Sequence, residues 1–105
     1  MADMAFIERL EALVHDRLRE SPEGSYTARL ASKGIVAAAQ KIGEEGVELA
    51  LAVVTGPDGE VVAESADLVF HLLVVLGMRG IPFASVVEAL EERHRGRTPT
   101  QLPLD

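Results

Sequence analysis

Glu44-Glu45-x-x-Glu48 and Glu64-x-x-Asp67 place five carboxylates in two short clusters, inside the two most apolar stretches of the chain. Ionised carboxylates are rarely buried unless something positive compensates them. The flanking segments, 47–54 and 66–76, read as core rather than as a solvated face. A divalent cation held between two helices is the simplest compensation. Oxygen ligands in a chain without cysteine favour Mg²⁺ (with Mn²⁺ as a substitute) or Ca²⁺ over Zn²⁺. Mg²⁺ keeps several waters and binds alongside substrate phosphates, so the pattern points to phosphate-ester or anhydride chemistry. A di-iron carboxylate bundle would need Glu-x-x-His pairs, and neither acidic cluster contains one.

Two helices must position these groups. At about 100° per residue, Lys41, Glu44, Glu45 and Glu48 share an arc of roughly 100°, and Glu64, Asp67 and His71 one of roughly 60°. Gly56-Pro57-Asp58-Gly59 between them is a turn, because Pro57 cannot continue a helix. The helices then run antiparallel, and residues equidistant from the turn sit level. Glu48 should face Glu64, Glu45 should face Asp67, and Lys41 should face His71. Gly43 and Gly46 each cost about 1 kcal/mol against Ala in a helix interior, so they serve either the site or close helix packing.

The other elements also read as helices. Asp3 can cap a first helix carrying Phe6, Ile7, Leu10, Leu13, Val14 and Leu18 on one face, ended by Ser21-Pro22-Glu23-Gly24. Ser25 caps a short helix that closes at Gly34. Long helices follow over about 35–55 and 60–79, and Pro82 opens a last one that ends near Gly96. No period-two alternation persists long enough for a sheet. The expected class is all-α, with about five helices in one domain over 1–96 and an extended tail over 97–105. The two long helices are apolar nearly all round, which one neighbour in so small a chain cannot cover. A homodimer with a shared helix bundle is therefore expected.

The 105 residues are 48% hydrophobic, with a net charge of −7 and no cysteine. Such an acidic chain offers no basic surface for nucleic acid. Met1 to Leu13 has charges and no apolar signal segment, and the run 68–78 is too short to span a bilayer. A soluble, cytoplasmic protein without a membrane partner is expected.

Ser25-Tyr26-Thr27-Ala28-Arg29-Leu30, Gln40-Lys41-Ile42-Gly43-Glu44-Glu45-Gly46-Val47-Glu48 and Glu64-Ser65-Ala66-Asp67-Leu68 together resemble the phosphoribosyl-ATP pyrophosphohydrolase family. That family belongs to the all-α, MazG-like nucleotide pyrophosphohydrolases, and the resemblance runs from about Phe6 to His94. It implies Mg²⁺-dependent hydrolysis of the α–β phosphoanhydride of phosphoribosyl-ATP, the second step of histidine biosynthesis, by a dimeric helix bundle. It implies Glu45, Glu48, Glu64 and Asp67 as metal ligands. Glu44 is then a further ligand, or the group that orients or deprotonates the attacking water. Tyr26 and Thr27 match the family motif and would position substrate.

Phosphate contacts need cations outside the cage. Lys41, one turn before Glu45, comes first, then Arg29 and Lys33, although Lys41 could simply form an ion pair with Glu45. His71 reads as a hydrogen-bonded core residue before a proton carrier. Arg93, His94, Arg95 and Arg97 read as complements to a helix C-terminus before contacts for a ribose phosphate. Some relatives fuse this domain to a cyclohydrolase, for which this chain has no room, so the stand-alone form is expected. Two alternatives remain: a sister enzyme acting on (d)NTPs, and a non-catalytic dimerisation module whose acidic face binds a basic partner.

Overall fold

The computed structural model describes residues 1–96, and the segment read as an extended tail lies outside them. Five helices follow in order: α1 (Phe6–Glu20), α2 (Tyr26–Ser32), α3 (Ile35–Thr55), α4 (Asp58–Met78) and α5 (Phe83–His94). No strand occurs among the described residues. The fold is all-α.

Each boundary has a local cause. Asp3 caps the turn ahead of α1 rather than the helix itself, its Oδ1 accepting the Ala5 N–H at 3.0 Å. Ser25 caps α2 as expected, its Oγ accepting from the Ala28 N–H at 3.1 Å. Gly56 and Pro57 alone separate α3 from α4, so α4 starts two residues earlier than the pattern suggested. Pro57 serves as the N-cap, with φ −76° and ψ 162°, where its missing N–H costs nothing. At the other end of α4, Gly80 takes φ 69°. This lets the Ile81 N–H return to the Leu76 carbonyl at 2.9 Å, the closing bond of a Schellman cap.

The α3–α4 hairpin is the spine, α1 lies along α4, and α2 bridges α1, α3 and α4. Val14, Leu30, Ala38, Leu73 and Val74 form the buried core, joined at its edge by Ile7, Leu10, Leu18, Phe70, Val75, Met78 and Phe83. The apolar face of α1 is narrower than its pattern: Phe6 and Leu13 stay exposed. α5 buries no residue and is held at its start, where the Glu11 carboxylate accepts the Phe83 N–H at 2.7 Å.

Much apolar surface is left over. Val47, Leu51 and Val54 stand exposed in a stripe on α3, and Val62 and Val69 do so on α4. By length and composition α4 could cross a membrane, contrary to the expectation from its uncharged run alone; its hydropathy is 1.8 and only 17% of that stretch is buried. Glu64, Asp67 and His71 lie in its middle, where carboxylates in lipid would be expensive.

Candidate active site

The hairpin brings the two acidic clusters together. Ligand atoms of Glu45, Glu48 and Glu64 lie within 4.8 Å of one another, so Glu48 and Glu64 meet across the turn as the spacing required. Glu45 is buried although it is a carboxylate, because its position on α3 faces α4. Its Oε2 and the Oε2 of Glu64 are buried without a hydrogen-bond partner. Orphaned buried carboxylate oxygens are costly, and two of them in so tight a triad of carboxylates fit a hard divalent cation. Asp67 stands outside this triad, exposed at the rim.

The electrostatics register the crowding. Burial, then hydrogen bonding to Glu48 and repulsion from Glu48, Asp67 and Glu45, hold the Glu64 carboxyl above its ordinary value. Lys41 is the nearby positive charge, with Nζ 3.3 Å from Glu44 Oε2 and 3.6 Å from Glu45 Oε1. Its pKa is raised, first by hydrogen bonding to Glu44. The ion pair with Glu45, the alternative to a phosphate contact, is therefore present, and one ammonium serves two carboxylates. Glu44 itself is exposed, at the edge of an open cleft of about 630 Å³ lined by Gln40, Gly43, Glu44, Val47 and Glu48.

The α2 residues divide. Tyr26 is partly exposed, with the Arg29 guanidinium 5.8 Å from its ring centroid. Thr27 is buried, and Lys33 is the exposed C-cap of α2. His71 is a buried, hydrogen-bonded core histidine, as read. Arg95 is occupied by Glu92 at 2.7 Å, while Arg97 lies outside the described residues. Sequence reasoning missed two links, His71 to Tyr26 and Glu11 to the start of α5. Their partners stand 45 and 72 residues apart, and helical periodicity carries no signal at that range.

Fold and cleft together define an all-helical domain with an oxygen-only, anion-rich site between two long helices. The family model for phosphoribosyl-ATP pyrophosphohydrolase matches residues 7–94, and the chain belongs to that family of hydrolases. A histidine biosynthesis bifunctional protein, HisIE, of Xanthomonas campestris is 49% identical over 90% of this chain and 46% of its own length. Another, of Xylella fastidiosa, is 51% identical over 86% of this chain and 44% of its own length. The chain thus spans about half the length of these relatives. A phosphoribosyl-ATP pyrophosphatase of Ignicoccus hospitalis is 41% identical, covering 89% of this chain and 91% of that protein.

Proposed function

We propose that the chain hydrolyses phosphoribosyl-ATP to phosphoribosyl-AMP and pyrophosphate, the second step of histidine biosynthesis, with Mg²⁺ (or Mn²⁺) as cofactor. The observation that carries this reading is the pair of orphaned, buried carboxylate oxygens on Glu45 and Glu64, in a triad whose ligand atoms lie within 4.8 Å of one another, in a chain of this family. Glu45, Glu48 and Glu64, with Asp67 at the rim, would hold the cation. When bound, it neutralises these carboxylates and polarises the phosphoanhydride.

The remaining roles fall to the chain's own residues. Glu44 lies outside the triad, so it keeps a lone pair for water. It orients the water attacking the α–β anhydride and takes its proton as the P–O bond to pyrophosphate breaks. Lys41 turns from Glu44 and Glu45 to the departing phosphates, and Arg29 and Lys33 add positive charge from α2. Tyr26 contacts the nucleotide, and buried Thr27 steadies the start of α2.

The chain acts as a homodimer in the cytoplasm, the exposed stripes on α3 and α4 covering one another in a shared bundle. Pyrophosphate release from phosphoribosyl-ATP, measured beside a panel of dNTPs with Mg²⁺, tests the assignment. Turnover of phosphoribosyl-ATP that is abolished in Glu48→Gln is expected. Turnover confined to the dNTPs would refute the substrate. No turnover of either, with Glu48→Gln and wild type alike, would leave only the dimerisation module.

A further inference from the structure

Among the described residues, His71 and Glu45 are the two titratable side chains that are buried, and only Glu45 belongs to the acidic triad. His71 Nδ1 lies 2.7 Å from the backbone oxygen of Asp67. A carbonyl only accepts, so Nδ1 carries a proton. In the neutral ring Nε2 then offers a lone pair, and the Tyr26 hydroxyl, 2.8 Å away, donates its single proton there. That hydroxyl has no proton left for a phosphate.

The ring is held as well as the hydroxyl. It stands edge-on to His71, with centroids 5.7 Å apart, and leans on Phe70 at 6.1 Å. Tyr26 nevertheless stays 42% exposed. The Arg29 guanidinium lies over the ring, and Tyr26 lies within electrostatic reach of Lys41. A rigid aromatic surface beside two cations suits a nucleobase whose phosphates lie alongside.

We propose that His71 is a positioning residue of this site. By accepting the Tyr26 hydroxyl proton it ties the start of α2 to α4 beside Asp67, and it presents the ring of Tyr26, not its hydroxyl, to the nucleotide. This inference rests on the cleft being the substrate site.

Two substitutions at His71 separate the two hydrogen bonds. Gln places an acceptor near the position of Nε2 and gives up the bond to Asp67. Asn keeps a donor for the Asp67 carbonyl and is too short to reach Tyr26. In a pyrophosphate-release assay on the full chain, His71→Asn and Tyr26→Phe each raise KM about tenfold with little change in kcat. The double variant is no worse than either single one, and His71→Gln recovers most of the loss. Additive losses, or a wild-type KM in His71→Asn, overturn the proposal. If His71→Asn fails to fold, His71→Leu, which fills the space without an acceptor, reads the same coupling with and without Tyr26→Phe.

Tyr26 is the single tyrosine and the chain has no tryptophan, so its emission can be followed without catalysis. His71→Asn lowers its anisotropy and raises its quenching by iodide, and His71→Gln restores both. Unchanged emission in His71→Asn refutes the tether whatever the activity. A tether that responds to His71 in a chain releasing no pyrophosphate refutes the substrate reading, and with it the role given to the ring.

Discussion

Glu45→Gln separates a cation site from a structural carboxylate. Glu45 is only 6% exposed, its Oε2 has no partner, and Glu48 and Glu64 crowd it within 4.8 Å. An unsatisfied buried polar group costs about 1–3 kcal/mol. Gln keeps the volume, removes one negative charge and supplies a donor to its neighbours. The ion pair it forfeits is a minor loss, since Lys41 retains Glu44 at 3.3 Å. In EDTA the variant should therefore equal wild type or exceed it by about 1 kcal/mol, a rise in Tm of roughly 4 °C for a domain of this size. With Mg²⁺ the order reverses. An ion at a hundred times its Kd stabilises the native state by about 2.7 kcal/mol, or roughly 10 °C by the same conversion. The variant, short of a ligand, should gain almost none of this. Thermal unfolding followed by far-UV circular dichroism, at matched ionic strength, reads all four conditions. A wild type indifferent to Mg²⁺ and a variant that melts earlier in EDTA would refute the reasoning, because Glu45 would then be making a structural contact.

Folding raises the Glu64 pKa above its ordinary 4.5, so in EDTA the native state favours the protonated form. That contribution is full below the unfolded value and is lost as pH rises through the folded one. Urea midpoints in EDTA should fall toward neutral pH more steeply in wild type than in Glu64→Gln; parallel profiles would contradict this. Leu51→Glu, in the stripe with Val47 and Val54, should turn the proposed dimer into monomers in sedimentation equilibrium with helicity retained. A wild type already monomeric at micromolar concentration would rule the dimer out. Glu11→Ala removes the carboxylate at the start of α5 at a cost of about 1 kcal/mol. Amide exchange should quicken in α5 and not in α3, and a uniform change would show the link to be global.

Much of this architecture was legible because helices are local. Ser25, Gly34, the Gly56-Pro57 turn and Gly80 each declare a boundary within a few residues of themselves. The meeting of Glu48 and Glu64 followed from one short turn and the helical rise, with no knowledge of the core. Legibility failed where contacts are long in sequence. Periodicity put Phe6 and Leu13 on the buried face of α1, yet α4 covers only the side of Val14 and Leu10. It put Asp67 level with Glu45, yet the facing atoms belong to Glu64 and Glu48. Facing positions on straight helices mark a level, and side-chain direction decides which groups at that level touch. Tyr26 was noticed through its motif, but its anchor on His71 needed the packing of α2 across α4.

The glycines of α3 show where stability gives way to function. Close packing within the chain would have explained Gly43 and Gly46, but a Cβ at either position would meet nothing within 4 Å. Alanine would therefore fit the isolated chain and gain about 1 kcal/mol at each site from helix propensity alone. The reason for glycine must lie in what occupies that open side. Gly43 borders the cleft with Glu44 and Glu48, and the exposed stripe of Val47, Leu51 and Val54 continues from it. A ligand approaching the carboxylates and a second copy covering the stripe would both pass close to this backbone. The same turns of α3 and α4 hold Glu45 and Glu64, whose orphaned oxygens also cost stability. Four unfavourable choices fall within a few turns of one hairpin. Such a concentration is expected of a site completed by what it binds.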